Sequence, residues 1–261
     1  MPDNPCSVTV VIPARFGSSR FPGKPLATLA GKPLIQHVYE HATRAPEVSR
    51  VLVATDDVRI HDAVLAFGGA AMMVEGVFRT GTDRVAAAAR HVPGEIFLNL
   101  QGDEIVLHPG LMTDLIDPFL ECGARMGTLK RRLVLVEDVM NPAVVKVVTD
   151  QAGAALYFSR APIPQIRDAP ADGMVGDRHY IHLGLYIYTR ETLLRFSELP
   201  TGRLEEAEQL EQLRALEYGI PIKVWETVRP SLRIDTPEDL RKLKPEQLDE
   251  PFGVEPERSQ R

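Results

Sequence analysis

Residues 7–24, SVTVVIPARFGSSRFPGK, join an apolar run to a loop of small and cationic residues. The run over residues 8–12 predicts a buried strand. The loop carries Arg15, Arg20 and Lys24 among glycines and serines, and fixed cations beside backbone N–H groups suit a polyphosphate. The spacing is neither G-x-G-x-x-G nor G-x-x-x-x-G-K followed by Ser or Thr, so dinucleotide and Walker sites have no direct support. The loop therefore predicts a phosphate site, with a solvated basic loop as the structural alternative.

The composition is that of a globular chain of 261 residues, 44% hydrophobic and 25% charged, long enough for one large or two unequal domains. A formal charge of −6 argues against a broad nucleic-acid surface, because phosphate backbones are bound mainly by surplus Lys and Arg. Cys6 and Cys122 form neither a metal-binding spacing nor a disulfide framework, and the N-terminus shows no secretory pattern. No apolar run approaches about 18 residues. We therefore expect a cytoplasmic protein without nucleic-acid or membrane partners.

Strand-like and helix-like segments alternate through the first two thirds of the chain, which is typical of an α/β sheet with helices on both faces. The patterns predict strands at residues 8–12, 51–55, 70–74 and 95–100, and helices at residues 32–45, 58–67 and 82–91. Three of these strands end in polar residues, at Arg15, Asp56 and Gln101. Because ligands collect beyond the carboxyl ends of such strands, we expect the functional site there.

The later part of the chain departs from this alternation. Residues 144–149 and 154–157 predict two strands that pair antiparallel, and residues 182–188 alternate between an apolar face and a face that can line a pocket. Residues 204–218 predict one leucine-rich helix. We expect a single domain over residues 1–243, with about residues 150–200 forming a smaller antiparallel subdomain, and a polar tail over residues 244–261.

Two aspartates are candidates for binding a metal ion. Asp103 and Asp235 each follow an apolar strand, and carboxylate oxygens are the ligands that Mg²⁺ uses while it also binds substrate phosphates. Each residue has a structural alternative: Asp103 as a turn residue after Gly102, and Asp235 as the N-cap of a final helix.

Several motifs together resemble one family, the 3-deoxy-manno-octulosonate (Kdo) cytidylyltransferases or CMP-Kdo synthetases. The resemblance covers about residues 8–243 and is carried by PARFGSSRFPGKPL, RTGTDR, QGDE, HLGLYIY, LEQLR and DTPEDL. It implies a Rossmann-like nucleotidyltransferase fold, with a mixed, mostly parallel sheet and an antiparallel dimerisation subdomain. It also implies Mg²⁺-dependent transfer of CMP from CTP to the anomeric hydroxyl of Kdo, for lipopolysaccharide biosynthesis, by a homodimer.

The resemblance also implies roles for particular residues. Those implied to bind the nucleotide are Arg15, Ser18, Arg20, Lys24, Thr80, Gly81 and Arg84. Those implied to bind the sugar acid are Gln101, Lys146, Arg160, His182, Tyr186, Glu211 and Gln212. Asp103 and Asp235 are implied to hold Mg²⁺, and catalysis is assigned to these two together with Arg15 and Lys24.

Unaided by the resemblance, these residues also allow structural interpretations. Thr80 and Asp83 suffice as a helix cap, His182 as a surface histidine, Tyr186 as a half-buried tyrosine and the pair at residues 211–212 as a solvated helix face. For Lys146 and Arg160 the corresponding alternative is an ordinary surface position.

The chain departs from the family pattern at three places on the sugar side. QGDE is followed by residues 105–107, Ile-Val-Leu, where the family usually has Pro-Leu-Ile; Gly202 and Arg203 replace a common proline before Leu204; and Arg233 replaces a small residue. These differences leave open another acidic sugar, such as 8-amino-Kdo or a sialic acid, or a sugar phosphate. A CTP-binding module without turnover is the alternative from another functional class.

Overall fold

The computed structural model describes residues 7–17, 21–106, 108, 110–167, 178–234 and 236–242. In the N-terminal part, a single 3-10 turn at Lys24–Leu26 follows the first strand. The other elements up to residue 99 are β1 (Val8–Ala14), β2 (Thr28–Leu29), β3 (Lys32–Pro33), α1 (Leu34–Ala42), β4 (Val48–Thr55), α2 (Val58–Ala66), β5 (Ala71–Met73), α3 (Gly81–Ala89) and β6 (Ile96–Asn99).

The remaining described residues add seven strands and six helices. They are β7 (Glu104–Val106), α4 (Gly110–Cys122), β8 (Met126–Arg132), α5 (Val136–Met140), β9 (Lys146–Thr149), β10 (Ala155–Ser159), β11 (Tyr180–Thr189), α6 (Arg190–Glu198), α7 (Arg203–Glu208), α8 (Gln212–Glu217), β12 (Lys223–Glu226), β13 (Ser231–Arg233) and α9 (Pro237–Lys242).

One mixed sheet of nine strands organises the described residues, in the order β10-β9-β11-β6-β1-β4-β5, with β8 paired to β11 and β12 paired to β8. The ladders β1–β4, β1–β6, β4–β5 and β8–β12 are parallel. Strand β11 runs antiparallel to its neighbours, and so do β9 and β10 to each other. The predicted α/β class, with parallel strands first and antiparallel strands in the middle, is confirmed.

Strand β1 lies at the centre of the sheet and is buried on both faces. Val10 and Ile12 face one hydrophobic core, which α1 and α4 also line, and Val11 faces a second core that includes α3 and α6. A strand covered on both faces needs apolar residues at nearly every position, which explains its continuous hydrophobic run. Arg15 directly follows the carboxyl end of β1, so the buried strand fixes its position at the edge of the sheet.

The predicted alternation in β11 is confirmed. Leu183, Leu185 and Ile187 pack into the first core, whereas Tyr186 and Tyr188 pack into the second. The polar face predicted to line a pocket is therefore mostly buried as well.

The prediction of one helix over residues 204–218 is wrong. The segment forms α7 and α8, separated by Gln209, which has φ 52° in the left-handed region. The guanidinium of Arg160 donates to the backbone carbonyls of Glu208 and Gln209, so these carbonyls are not free to continue a helix. The helix predicted to start at residue 32 also starts later, because Lys32 and Pro33 form a short hairpin with β2.

Candidate active site

Two cavities that share lining residues lie beyond the carboxyl ends of β1 and β6. The smaller has a volume of about 250 Å³ and the larger about 820 Å³. The residues that line both are Arg15, Arg79, Thr80, Gly81, Gln101 and Asp103. The site thus lies at the sheet edge where the strand-end argument predicts it.

The loop after β1 is closed by a backbone hydrogen bond. The N–H of Gly23 donates to the carbonyl of Phe16 at 2.9 Å, and Gly23 has φ 71°, a conformation that favours glycine. Arg59 stacks on the Phe16 ring, with its guanidinium carbon 3.3 Å from the ring centroid. Arg15 is exposed and lines both cavities. The predicted nucleotide contacts Ser18 and Arg20 lie outside the described residues.

Lys24 and Asp103 form an ion pair at the floor of the smaller cavity. Lys24 Nζ lies 2.7 Å from Asp103 Oδ2, and it also donates to the carbonyl of Ile234 at 2.9 Å. Gly102 brings this turn against β1, because a Cβ there would lie 2.9 Å from the carbonyl oxygen of Pro13. The cationic loop after β1 and the QGDE turn are therefore in direct contact.

The second predicted metal ligand, Asp235, lies outside the described residues. The residue before it is held to Asp103, since the N–H of Ile234 donates to the carbonyl of Asp103 at 2.9 Å. In α9 the side chain of Thr236 accepts a hydrogen bond from the N–H of Asp239, whose carboxylate accepts one from the N–H of Thr236. This reciprocal pair caps the helix at Thr236, so the N-cap role considered for Asp235 is filled by its neighbour.

The nucleotide-side motif RTGTDR begins α3. Thr80 and Asp83 form a capping box, as the local pattern predicts. Gly81 packs closely against the QGDE turn, because a Cβ there would lie 3.0 Å from Gln101 Oε1. The buried Arg84 pairs with Asp56 at 2.7 Å, which ties the end of β4 to this helix. Thr80 and Gly81, at the start of this helix, line both cavities.

A buried chain of hydrogen bonds connects Gln101 with Glu211. Gln101 Nε2 donates to Asn99 Oδ1 at 3.2 Å, and Asn99 Nδ2 donates to Thr82 Oγ1 at 3.0 Å. Thr82 Oγ1 in turn donates to Glu211 Oε1 at 2.5 Å. Asn99 and Thr82 are fully buried. The chain runs from Gln101, which lines both cavities, to Glu211, which lines the larger one.

The carboxylate at the end of this chain determines how the Gln101 amide is oriented. An ionised carboxylate only accepts, so the Thr82 hydroxyl donates to Glu211 and must accept from Asn99 Nδ2. Asn99 then offers Oδ1 to Gln101 Nε2, which leaves Gln101 Oε1 as an acceptor without a partner among the described residues. Burial raises the pKa of Glu211, and its hydrogen bond from Thr82 partly opposes this shift.

His182 and Tyr186 line the larger cavity from β11. On a regular strand, Cα atoms four residues apart are separated by about 13 Å. The ring centroids of His182 and Tyr186 are nevertheless only 5.2 Å apart. The reason is a bulge: the four-residue step from His182 to Tyr186 on β11 opposes the two-residue step from Lys130 to Thr128 on β8. The Tyr186 hydroxyl is buried with no hydrogen-bond partner among the described residues. It is therefore available to a ligand.

Lys146 and Arg160 are adjacent but differ in what they leave free. Lys146 is fully buried, and Nζ donates to the carbonyls of Asn141, Val144 and Arg160 at 3.0, 2.6 and 2.6 Å. An ammonium has three donors, so all are engaged, and burial lowers its pKa. Arg160 lines the larger cavity while its guanidinium donates to three backbone carbonyls. Neither is the ordinary surface residue considered above.

The predicted pair Glu211 and Gln212 lies where α7 gives way to α8. Gln212 is buried and begins α8, and both residues line the larger cavity. Because the helix breaks at Gln209, this pair points into the site and does not form a solvated helix face. All the described sugar-side residues except Lys146 thus line one cavity.

Comparison with known proteins decides the family. The family model described as "Cytidylyltransferase" matches residues 9–226. A 3-deoxy-manno-octulosonate cytidylyltransferase of Trichlorobacter lovleyi is 50% identical over 246 residues, which cover 91% of this chain and 97% of that protein. The chain belongs to the 3-deoxy-manno-octulosonate cytidylyltransferase family. It is therefore a nucleotidyltransferase.

Further comparisons agree with this family. The 3-deoxy-manno-octulosonate cytidylyltransferase of Geobacter sulfurreducens is 50% identical over 244 residues, covering 91% of this chain and 98% of that protein. A solved CMP:2-keto-3-deoxy-manno-octonic acid synthetase complexed with CTP has a TM-score of 0.84 and 42% identity, with 90% and 96% of the two chains covered. The inositol-1-phosphate CTP transferase from T. maritima, at 15% identity and a TM-score of 0.65, shares the fold, with 88% and 90% covered.

Sequence reasoning did not predict Thr82, Asn99 or Arg131 as site residues of this cytidylyltransferase. Thr82 and Asn99 complete the hydrogen-bond chain described above, and Arg131 lines the larger cavity from β8. Asn99 carries the stronger local signal, because it is a polar residue inside an apolar strand two positions before Gln101. Arg131 gives no such signal, since it stands between two other cations in the run KRR. Among the described residues, no helix has both the length and the apolar character needed to cross a membrane.

Proposed function

We propose that this protein transfers CMP from CTP to the anomeric hydroxyl of Kdo, with release of pyrophosphate. The observation that carries the proposal is the contact between Lys24 and Asp103, where the cationic loop meets the predicted metal ligand between the two cavities. The smaller cavity suits the nucleotide and the larger suits an eight-carbon acid. The family membership and the CTP complex of a related synthetase support the same assignment.

Mg²⁺ fits the residues at this junction. The Asp103 side chain is 19% exposed, lines both cavities, and offers hard oxygen ligands of the kind Mg²⁺ prefers. Asp235 is proposed as the second ligand, and the hydrogen bond from Ile234 to Asp103 supports this because it brings the preceding residue to the first ligand. When bound, Mg²⁺ supplies a Lewis acid that polarises phosphoryl oxygens.

The protein's own residues contribute position and charge. Arg15 and Lys24 hold the triphosphate and stabilise the charge that develops on pyrophosphate as it leaves, with Ser18 and Arg20 proposed to assist. Backbone at Thr80 and Gly81, together with Arg84, is proposed to bound the nucleotide. Such reactions depend mainly on positioning and electrostatic stabilisation, which a preformed cationic junction supplies.

The sugar acid is proposed to lie in the larger cavity. Gln101 Oε1 and the Tyr186 hydroxyl are available there for its hydroxyl groups, with His182, Glu211 and Gln212 beside them. Arg160 adds positive charge near the acid group. Lys146, implied by the family resemblance to bind the acid directly, is proposed to act by holding the carbonyl of Arg160.

The proposal extends to the assembly and the cellular setting. We propose a cytoplasmic homodimer whose product enters lipopolysaccharide biosynthesis. Exposed apolar side chains at Leu156 on β10 and at Leu135 and Met140 near α5 support a contact through the middle of the chain. A single domain over residues 1–243 is supported by the one sheet that takes strands from β1 to β12. The polar tail at residues 244–261 lies outside the described residues.

A pyrophosphate-release assay tests the proposed function. CTP and UTP are each offered with Kdo, 8-amino-Kdo and a sialic acid, in Mg²⁺ and in excess chelator. We expect release with CTP and Kdo, dependent on Mg²⁺. Faster release with 8-amino-Kdo or the sialic acid would reassign the substrate, and CTP binding without release under any condition would favour a non-catalytic module.

A further inference from the structure

The arginines that line the larger cavity differ in whether their guanidinium groups are already engaged. Five arginines line it: Arg15, Arg79, Arg131, Arg160 and Arg214. Arg79 donates to Thr201 and to the carbonyl of Leu199, and Arg160 donates to three carbonyls. Arg214 is paired with Glu205 by two hydrogen bonds. These three side chains are held by the protein itself.

The other two arginines lie at different ends of the site. Within the described part of the chain, neither Arg15 nor Arg131 makes a side-chain hydrogen bond or ion pair. Arg15 lines both cavities, whereas Arg131 lines only the larger one. Two anionic substrates are expected, a nucleoside triphosphate and a sugar acid. One uncommitted guanidinium is therefore present for each.

The position of Arg131 suits a ligand in the larger cavity. It lies near the end of β8, directly opposite Ile181 of β11, and Ile181 precedes the cavity residue His182. Its Nε is buried with no hydrogen-bond partner among the described residues. A buried guanidinium N–H without an acceptor is unfavourable, and a carboxylate satisfies Nε and a terminal nitrogen together in a bidentate pair.

We propose that Arg131 binds the carboxylate of the sugar acid and makes this site selective for acids over neutral sugars. The inference rests on the proposed function, because it assigns a contact to that substrate. Lys146 is unable to make the contact, since its three donors are on backbone carbonyls. Arg160 adds positive charge nearby, but hydrogen bonds to three backbone carbonyls already hold its guanidinium group in place.

The first test compares Arg131→Gln with Arg132→Gln. Arg132 is the matched control, because it is the next residue on β8, faces the other side of the strand and is exposed. We expect Arg131→Gln to raise the KM for Kdo by about 10- to 100-fold, the factor that one charge-assisted pair provides. The KM for CTP stays within about twofold. Unchanged KM values for Kdo in Arg131→Gln would overturn the inference.

The second test identifies the group that Arg131 contacts. A Kdo analogue with a carboxamide in place of the carboxylate is compared with Kdo in each variant. The wild-type enzyme should bind the analogue much more weakly than it binds Kdo. The Arg131→Gln variant should bind the analogue and Kdo with nearly the same affinity. If both lose the same factor, Arg131 does not contact the carboxylate. Should Arg131→Gln fail to fold, Arg131→Lys is measured with both substrates, and the same comparison decides.

These outcomes are separable from failure of the proposed function. Wild-type enzyme that releases no pyrophosphate from CTP and Kdo refutes the function itself. Wild-type enzyme that turns over Kdo normally, alongside an Arg131→Gln variant with unchanged KM, refutes the Arg131 assignment alone.

Discussion

Thr82 and Glu211 lie 129 positions apart in the chain, yet Thr82 Oγ1 donates a 2.5 Å hydrogen bond to Glu211 Oε1. The bond joins α3, which begins within the RTGTDR motif, to the turn before α8. Through Asn99 it also orients the amide of Gln101, which both cavities share. The two halves of the site are thus coupled by buried polar contacts.

Replacing Thr82 by valine should break this coupling without changing side-chain shape. Asn99 Nδ2 and Glu211 Oε1 would each lose a partner, at about 1–3 kcal/mol of unfolding free energy for each buried group left unpaired. The Gln101 amide would also be free to flip, so kcat/KM for the sugar acid should fall. Thr82→Ser keeps the hydroxyl and is the control. Urea unfolding measures the loss of stability, and steady-state kinetics measure the fall in kcat/KM. Equal stability and equal kcat/KM of Thr82→Val and Thr82→Ser would contradict the role given to this chain of hydrogen bonds.

The buried carboxylate of Glu211 predicts a pH dependence of stability. Burial raises its pKa above the usual value of 4.5, so the folded state binds more protons than the unfolded state between the two pKa values. Wild-type stability should therefore fall as pH rises from about 4.5 through the folded pKa. Glu211→Gln removes this titration while Gln still accepts from Thr82. We expect the variant's stability advantage to grow from pH 5 to pH 8 in urea unfolding. A pH-independent difference would rule out the raised pKa.

The ion pair between Lys24 and Asp103 predicts that substituting Asp103 lowers catalytic activity strongly and folding stability only slightly. Asp103→Asn keeps the shape but removes the charge that faces Lys24 and that is proposed to bind Mg²⁺. We expect kcat to fall by about 100- to 1,000-fold, as when one preorganised electrostatic group is lost. Pyrophosphate release across a Mg²⁺ titration measures this.

Asp57→Asn is the control for Asp103→Asn. Asp57 also follows a strand of the sheet, but it caps α2 through the N–H of Arg59 and lines neither cavity. Asparagine caps helices about as well as aspartate, so activity and stability should stay near those of the wild type. Similar kinetics of the two variants would remove Asp103 from the catalytic centre.

Substituting Lys146 should lower the stability of the protein more than it changes the binding of Kdo. Lys146→Met leaves three partly buried carbonyls without this donor, and we expect the free energy of unfolding to drop by roughly 1–3 kcal/mol. The KM for Kdo should rise only modestly, through movement of Arg160. Thermal melts with parallel kinetics separate the two effects. A large rise in KM with unchanged stability would show instead that Lys146 contacts the sugar acid.

Several features could be predicted from sequence because their causes are local. The strand β1 follows from a continuous apolar run, and the start of α3 follows from Thr80 and Asp83 three residues apart. The family resemblance likewise rests on short motifs. Those motifs predicted that the QGDE turn and the cationic loop belong to one site. The region between residues 105 and 143 carried no such signal, and its two helices and two strands were not anticipated.

The sequence by itself determined the α/β class, the central strand and the family of this nucleotidyltransferase, because hydrophobic periodicity, helix caps and motifs each act within about a dozen residues. Only the tertiary structure decided which polar atoms remain free. Arg160 donates to the carbonyls at the end of α7, Lys146 has all three donors engaged, and Arg131 Nε has no hydrogen-bond partner among the described residues. Hydrogen-bond partners far apart in the chain depend on how the sheet and helices pack, and no local pattern records them.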